Sequence, residues 1–203
     1  MTTLPGATPL DPDEAEGLIP QHIVNRGQLD AWEQENILEG ERWAFARIRK
    51  DVLTFTFIQE LHKQMFGRTW RWAGGFRTTE KTIGVDPMHI EVEIKKLCDD
   101  VAYQIKHKSY PFDEIAVRCH HRLTWVHPFP NGNGRHARTF TDVFLVAHGA
   151  RRFTWGASDL VAEGDTRGRY ISALRAADRG EYRSLIEFVR SGETEELTQN
   201  SFF

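Results

Sequence analysis

The chain has 203 residues, of which 40% are hydrophobic, 27% charged and 11% aromatic, a composition that predicts one globular domain with a substantial core. A formal net charge of -3 argues against a protein that coats nucleic acid, because such domains are strongly basic. The longest apolar run, Val143 to Ala147, is far shorter than the roughly 20 residues of a membrane-spanning helix. The first twenty residues lack the basic and apolar regions of a secretory signal. We therefore expect a cytoplasmic protein with reduced Cys98 and Cys119.

The N-terminal part is expected to begin as an extended arm and then become helical. Residues 1–27 contain four prolines and no apolar periodicity, which is typical of an extended arm. A short helix is expected near residues 29–40, and Gly40 is expected to end it. A second helix is then predicted by the apolar residues Trp43, Phe45 and Ile48. We expect an exposed helix face to carry the basic residues Arg42, Arg47, Arg49 and Lys50.

The rest of the chain is predominantly helical by periodicity. One helix is predicted from the i+4 spacing of Leu53, Phe57, Leu61 and Met65, and a longer one from Ile90, Ile94, Leu97, Val101 and Ile105. Further helices are expected from an N-cap at Asp113 to Pro128, and over residues 135–148, 168–177 and 181–190. We expect residues 28–190 to form the single domain and residues 191–203 a flexible polar tail.

One segment does not fit a helix. Residues 70–86 begin with the letters WRWAGG and continue with Thr and Ile interrupted by Gly84, a pattern that predicts a short β-hairpin. Trp70 and Trp72 are expected to pack beneath it, with base stacking as the alternative. The fold class is therefore mostly α with one short β-hairpin.

The segment between the two central helices, residues 127–138 with the sequence HPFPNGNGRHAR, contains the residues that indicate a chemical function. Glycines at the start of a helix let consecutive N–H groups converge on an anion, and the helix N-terminus adds partial positive charge. Arg135 and Arg138 leave the first helical turn on one face, where guanidinium groups can bind further phosphate oxygens. The loop therefore predicts a polyphosphate site.

The first half of this loop offers a base and a metal ligand. His127 can accept a proton from an attacking hydroxyl, because neutral imidazole predominates at pH 7. Asn131 offers an oxygen to a Mg2+ ion that is bound to phosphates. We expect Phe129 to anchor the loop to the core while His127 and Asn131 point outward.

These twelve residues resemble the Fic-family signature, His-x-Phe-x-(Asp/Glu)-Gly-Asn-Gly-Arg-x-x-Arg. The resemblance extends over residues 29–190, since HKQMFGRTWRWAGGFR resembles the segment entering the family's flap and RYISALRAADRGEYRSLIEF resembles its C-terminal helices. Within the family the chain is most similar to the short proteins called mobile mystery protein B, encoded beside a DNA-binding partner. The resemblance implies a Fic-type helical bundle with a short β-hairpin flap.

The resemblance also implies an activity, the transfer of AMP from ATP to a Ser, Thr or Tyr hydroxyl of a protein, with His127 as the catalytic base. It assigns the nucleotide to Gly132, Asn133, Gly134, Arg135 and Arg138, with Arg135 on the β-phosphate region and Arg138 on the γ-phosphate. It assigns target binding to the flap residues Thr82, Ile83, Gly84 and Val85. Asn131 departs from the family's carboxylate and implies a weaker Mg2+ ligand. The GNGR core favours nucleotide transfer over the phosphate transfer of lysine-containing relatives.

An upstream segment resembles the family's inhibitory motif, (Ser/Thr)-x-x-x-Glu-(Gly/Asn). Glu39 and Gly40 match it, whereas Glu35 stands at the Ser/Thr position. The resemblance implies that Glu39 forms an ion pair with Arg138 where the γ-phosphate would bind. A solvated helix glutamate is the alternative.

Other functions remain open at this point. The reverse reaction, with Glu39 positioning a water that hydrolyses an AMP–protein bond, is one. A low-turnover nucleotide-binding regulator of an antitoxin-like or DNA-binding partner is another, and no direct nucleic-acid or membrane binding is expected. His120, His121 and His136 lack zinc-like spacing, so no structural metal is expected, and His62 is expected to pack in the core.

Overall fold

The computed structural model describes residues 12–46, 51–157 and 164–191. This part of the chain forms eight α-helices: α1 (Pro12–Ala15), α2 (Arg26–Ala46), α3 (Phe55–Phe66), α4 (Ile90–His107), α5 (Phe112–Val126), α6 (Asn133–Ala147), α7 (Asp165–Ala177) and α8 (Arg183–Arg190). The mostly helical fold class is confirmed. None of the helices described is both long enough and apolar enough to cross a membrane.

Helices α5 and α6 form the centre of the bundle. They pack against each other, with α4 against α5, α3 against α6, α2 against α3, and α7 against α8. The largest fully buried side chains include Phe66, Phe129, Phe140 and Phe144. Because α5 and α6 are both anchored in this core, the loop that joins them has fixed ends.

The N-terminal helix passes through Gly40 without a break. An ideal Cβ at Gly40 would lie 2.8 Å from the Met65 Cα, so the glycine allows α2 and α3 to approach closely. The expectation that Gly40 ends a short helix is therefore wrong, because its role is in packing. Of the second helix predicted beyond it, Ile48 lies outside the described residues, as do Arg47, Arg49 and Lys50.

The N-terminus of α5 also differs from expectation. The residue that precedes the helix is Pro111, and Asp113 lies in its first turn. The Asp113 carboxylate accepts hydrogen bonds from Arg190 at 2.8 and 2.9 Å, so it joins α5 to the end of α8 and is not the N-cap. Residues 1–11 of the predicted arm and 192–203 of the predicted tail lie outside the described residues.

The predicted β-hairpin is wrong, because residues 77–86 contain no strand. The backbone N–H groups at the two ends of this segment bind the end of α5 and the start of the α5–α6 loop rather than each other. Arg77 N–H donates to the Pro128 carbonyl at 2.9 Å, and Val85 N–H donates to the Val126 carbonyl at 3.3 Å. We call residues 77–86 the flap, since it covers the start of the α5–α6 loop.

The described part of the N-terminal arm lies against the flap. Glu14 forms an ion pair with Lys81 at 2.5 Å, and both side chains are largely buried. The indole N–H of Trp72 donates to the Glu14 carbonyl at 2.9 Å, and Leu18 forms an isolated antiparallel bridge with Trp70. The arm therefore holds the outer side of the flap.

Candidate active site

His127 stands at the end of α5, in the left-handed region of backbone space, with φ 53° and ψ 58°. Pro128 follows it and disfavours the right-handed helical conformation for the preceding residue, so the helix ends here. A non-glycine residue in this region costs about 1 kcal/mol or more, which the surrounding contacts must offset. His127 N–H donates to the Leu123 carbonyl at 3.2 Å, and the Arg77 side chain donates through Nε to the His127 carbonyl at 2.7 Å.

The imidazole of His127 is covered, contrary to the expectation that it points outward. The residue is only 5% exposed, and an ideal Cβ at Gly84 of the flap would lie 2.7 Å from the His127 Cβ. Burial, together with the positive charges of Arg77 and Lys81, lowers the pKa of His127 to about 4. The ring is therefore neutral at physiological pH, as a proton acceptor must be.

Two sets of hydrogen bonds hold the loop that follows. The Asn133 side chain accepts from Phe129 N–H at 2.9 Å and donates to the Phe129 carbonyl at 2.7 Å. His62 of α3 accepts from Gly74 N–H at 3.0 Å through Nδ1, so its Nε2 carries the proton and donates to the Asn131 carbonyl at 3.1 Å. The His62 ring stacks on Phe129 with 3.7 Å between ring centroids. Phe129 is completely buried and fixes the loop to the core.

Gly132 gives the loop its turn into α6. Its φ is 77°, and an ideal Cβ would lie 2.6 Å from the ring of Phe66. Both the backbone conformation and the space exclude a side chain at this position. Gly134, in the first turn of α6, has no such neighbour, since the nearest atom to its ideal Cβ is an Arg138 guanidinium nitrogen at 3.8 Å. Gly134 thus has open space around it beside a guanidinium group.

We expect Gly132→Ala to destabilise the fold by about 2 kcal/mol or more, because it combines left-handed strain with a contact to a buried ring. Gly134→Ala is the matched control, and its effect on stability should stay within about 1 kcal/mol, since alanine favours helices. Urea unfolding of both variants measures the difference. Equal stability of the two variants would contradict the role given to Gly132.

Arg135 is held by a carboxylate from α2. Its guanidinium donates to Glu33 at 2.7 Å and lies 5.0 Å from the centroid of the Phe66 ring. Glu33 is only 5% exposed, and its other oxygen accepts from the Trp70 indole N–H at 2.7 Å. The charge of Arg135 is therefore compensated within the protein.

Arg138 has a different environment. Within residues 12–46, 51–157 and 164–191, it forms no ion pair with a carboxylate, and its guanidinium lies 5.9 Å from the centroid of the Tyr170 ring. Burial, together with the like charges of Arg135 and Arg167, lowers the pKa of its guanidinium. The charge of Arg138, close to the N-terminus of α6, makes this region attractive to a phosphate group.

Glu39 does not reach this site, so the expected ion pair with Arg138 is wrong. Its carboxylate binds Arg68 at 2.5 Å on the protein surface, where both side chains are substantially exposed. This ion pair also lowers the pKa of Glu39. The reason is the uninterrupted course of α2, which brings Glu33 rather than Glu39 to the arginines of the loop.

Asn131 is half-buried at the turn of the loop. Its side-chain oxygen accepts hydrogen bonds from Gly132 N–H at 2.6 Å and from the Arg135 guanidinium at 3.4 Å. A carbonyl oxygen has two lone pairs, so it can accept both of these hydrogen bonds. The described part of the chain contains no cluster of three His, Cys, Asp or Glu side chains arranged to hold a metal ion.

Among the flap residues singled out by sequence, Thr82 and Ile83 are exposed at the surface, and Ile83 is 49% exposed. Gly84 contacts His127, with φ 108°, and the Val85 carbonyl accepts a hydrogen bond from the Arg77 guanidinium. The flap thus presents its backbone next to the buried imidazole.

Sequence reasoning missed three residues of this site: Glu33, Arg77 and Tyr170. A signal existed for Glu33, because helical spacing places it on the buried face of α2, where a charged side chain needs a partner. Arg77 lies in an irregular segment and offered no periodicity. Tyr170 had no signal that distinguished it from a core aromatic residue.

Comparison with known proteins agrees with this geometry. In the solved structure of BepC from Bartonella tribocorum with bound AMPPNP, 18% of residues are identical over 88% of this chain and 96% of that one, with a TM-score of 0.67. Residues 134–508 of Fic-1 from Caenorhabditis elegans give a TM-score of 0.65, with 22% identity over 92% of this chain and 54% of that one. The fold is therefore that of Fic domains.

The sequence comparisons name the family. The Fic/DOC family model matches residues 52–145, which identifies this segment as a Fic/DOC domain. The protein adenylyltransferase fic-1 of Caenorhabditis elegans is 26% identical over 144 residues, which are 68% of this chain and 27% of that protein. Its relative from Caenorhabditis briggsae is 29% identical over 136 residues, 65% of this chain and 25% of that protein. The chain thus spans about a quarter of the length of these curated relatives.

Proposed function

We propose that this protein is a protein adenylyltransferase, a nucleotidyltransferase that moves AMP from ATP to a hydroxyl group of a protein. One observation carries the proposal: a buried, neutral histidine ends α5 six residues before Asn133, the first residue of α6, whose first turns contain two arginines. Relatives named protein adenylyltransferases and Fic-domain structures with bound AMPPNP or ADP support it.

The chemistry follows from this arrangement. The hydroxyl oxygen of the target attacks the α-phosphorus of ATP, and its proton passes to the neutral imidazole of His127. The bond between the α-phosphorus and the bridging oxygen breaks, and pyrophosphate leaves. The N–H groups at the start of α6, with Arg135 and Arg138, stabilise the negative charge of the phosphates.

ATP chemistry of this kind implies Mg2+, and the residues fit an ion held mainly by the nucleotide. Mg2+ usually takes one or two protein oxygens, several waters and substrate phosphates. Asn131 would supply the protein oxygen, which in this structure accepts hydrogen bonds from Gly132 N–H and, at 3.4 Å, from Arg135. The ion would neutralise phosphate charge during transfer.

We propose that the flap binds the target as an extended segment along residues 82–85, because Thr82, Ile83 and Gly84 are exposed and Gly84 lies directly next to His127. The partner is thus a protein that presents a Ser, Thr or Tyr hydroxyl. The resemblance to mobile mystery protein B implies a further partner, an antitoxin-like or DNA-binding protein.

The structure bears differently on the two alternative functions, an AMP–protein hydrolase and a nucleotide-binding regulator. Hydrolysis of an AMP–protein bond required Glu39 to position a water, and Glu39 binds Arg68 at the surface. A low-turnover nucleotide-binding regulator is favoured by one observation, the neutral Asn131 at the position where Fic proteins usually have a carboxylate. Measurement of turnover distinguishes the two, because the regulator binds nucleotide with little turnover whereas the transferase modifies its target.

Incubation of the protein with lysate and ATP carrying an isotope label in the adenosine, followed by mass spectrometry, tests the proposal. A mass increase of AMP on a Ser, Thr or Tyr residue is the expected result. Label in the γ-phosphate serves as the control and should not be transferred. Nucleotide binding without any modified protein would favour the regulator.

We expect Asn131→Asp to lower the Mg2+ concentration that gives half-maximal transfer by about fivefold, because a carboxylate binds Mg2+ more strongly than an amide. A Mg2+ titration at saturating ATP measures this change. Asn25→Asp, at the exposed residue that caps the start of α2, is the control for a new carboxylate elsewhere, since Asp can keep the hydrogen bond from Gln28 N–H. An unchanged Mg2+ dependence would show that Asn131 is not a metal ligand.

A further inference from the structure

A chain of buried hydrogen bonds lies behind Arg138. Thr141 Oγ1 donates its hydrogen to the Ala137 carbonyl at 2.7 Å, so it can only accept from His120 Nδ1, which lies 3.3 Å away. The pKa of His120 is lowered to about 3 by burial, so the ring is neutral and holds one proton. That proton is on Nδ1, and Nε2 has a lone pair.

The proton on His120 Nδ1 determines the direction of the hydrogen bond between His120 and Tyr170. His120 Nε2 lies 2.8 Å from the Tyr170 hydroxyl, and because Nε2 is an acceptor, Tyr170 must donate to it. The lone pairs of the Tyr170 oxygen are then available to a guanidinium donor, and the guanidinium of Arg138 lies 5.9 Å from the centroid of the Tyr170 ring. Tyr170 is 5% exposed and His120 is fully buried, so water does not compete for their hydrogen bonds.

Arg135 and Arg138 therefore have opposite electrostatic environments. Arg135 is bound by the Glu33 carboxylate, which compensates its charge. Tyr170 is a neutral phenol, since burial raises the pKa of its hydroxyl. It can orient Arg138 without compensating its charge, and the guanidinium lies beside Gly134 in the first turn of α6.

We propose that Tyr170, fixed by His120, is a positioning residue that holds Arg138 toward the end of the nucleotide's phosphate chain and so sets the preference for a nucleoside triphosphate over a diphosphate. The inference rests on the proposed function, because it takes the phosphates to lie at the start of α6. Tyr170 touches neither substrate nor reacting atoms in this role. Its effect should appear only for a ligand that has the third phosphate.

The test is calorimetric titration of ATP and of ADP, each with Mg2+ and without a target protein. Tyr170→Phe keeps the ring and removes the hydroxyl, and it should weaken ATP binding about fivefold while ADP binding stays within about twofold. In an Arg138→Ala background, Tyr170→Phe should have no further effect on ATP binding. Equal loss for both nucleotides, or no loss, would overturn the inference.

Tyr182→Phe is the matched control. The Tyr182 hydroxyl lies 3.4 Å from His121 Nδ1 and its ring lies 4.1 Å from Arg118, so it belongs to a similar histidine, tyrosine and arginine group elsewhere. This variant should bind both nucleotides as the wild type does. Loss of the ATP preference in Tyr182→Phe would contradict a specific role for Tyr170.

A second variant covers the case in which Tyr170→Phe fails to fold, as judged by its melting temperature. His120→Asn retains a donor toward Thr141 and removes the acceptor for Tyr170, so it should also weaken ATP binding more than ADP binding. Equal effects on the two nucleotides would contradict the inference. A wild-type protein that binds neither nucleotide contradicts the proposed function as well, whereas a wild type that prefers ATP with both variants unchanged contradicts the inference alone.

Discussion

His127→Ala is expected to lower AMP transfer by about 100-fold or more while ATP affinity stays within about twofold, since a general base acts on the attacking hydroxyl and adds little to ground-state binding. The structure favours this separation, because the imidazole lies at the end of α5 under the flap, whereas Arg135 and Arg138 lie on α6. Transfer of labelled AMP and calorimetric binding of ATP measure the two effects.

The control for this variant is His89→Ala, which removes an exposed histidine next to α4 and should leave both quantities unchanged. Equal losses of affinity and of transfer in His127→Ala would make His127 a nucleotide-binding residue. The melting temperature of each variant shows whether the fold is retained.

The lowered pKa of His127 gives this prediction a pH dependence. The base is active when neutral, so protonation removes it only as the pH falls through its pKa of about 4. Transfer at saturating ATP should therefore be nearly constant from pH 8 to about pH 5.5, well above that pKa. A decline centred near pH 6.5, the ordinary value for histidine, would show that the imidazole is exposed during turnover.

Local patterns were sufficient to predict the helices from α3 onward and the α5–α6 loop. The spacing of Leu61 and Met65, or of Ile90 and Ile94, follows from one buried helix face. The residues of the loop are contiguous, so their proximity required no knowledge of the tertiary structure. The polyphosphate site could be placed at the start of α6 for this reason.

Features that depend on distant parts of the chain were not predictable. Gly40 has the local appearance of a helix end, and only its close contact with Met65 shows that α2 continues. The flap residues have strand-like composition, but the side chain of Arg77 binds backbone carbonyls that strand pairing would otherwise use. A six-residue motif match at Glu39 did not show which carboxylate of α2 faces the loop.

Glu33 is the carboxylate of α2 that faces the loop, and its replacement is expected to have the second large effect on nucleotide binding. Glu33→Gln is expected to raise ATP affinity about fivefold, and transfer at low ATP with it, because Arg135 no longer has a charged competitor for the phosphate. Glutamine retains an oxygen that can accept from the Trp70 indole, as Glu33 does at 2.7 Å, so the core contact is preserved. Calorimetric titration of ATP and transfer measured below saturation test the expectation.

The same helix provides the control for this change. Glu39→Gln removes a carboxylate that binds Arg68 on the surface, at 2.5 Å, and it should leave ATP affinity unchanged. In an Arg135→Ala background, Glu33→Gln should give no gain, because the guanidinium that it releases is absent. Weaker ATP binding in Glu33→Gln would reverse the conclusion: Glu33 would then orient Arg135 toward the phosphate rather than compete with it.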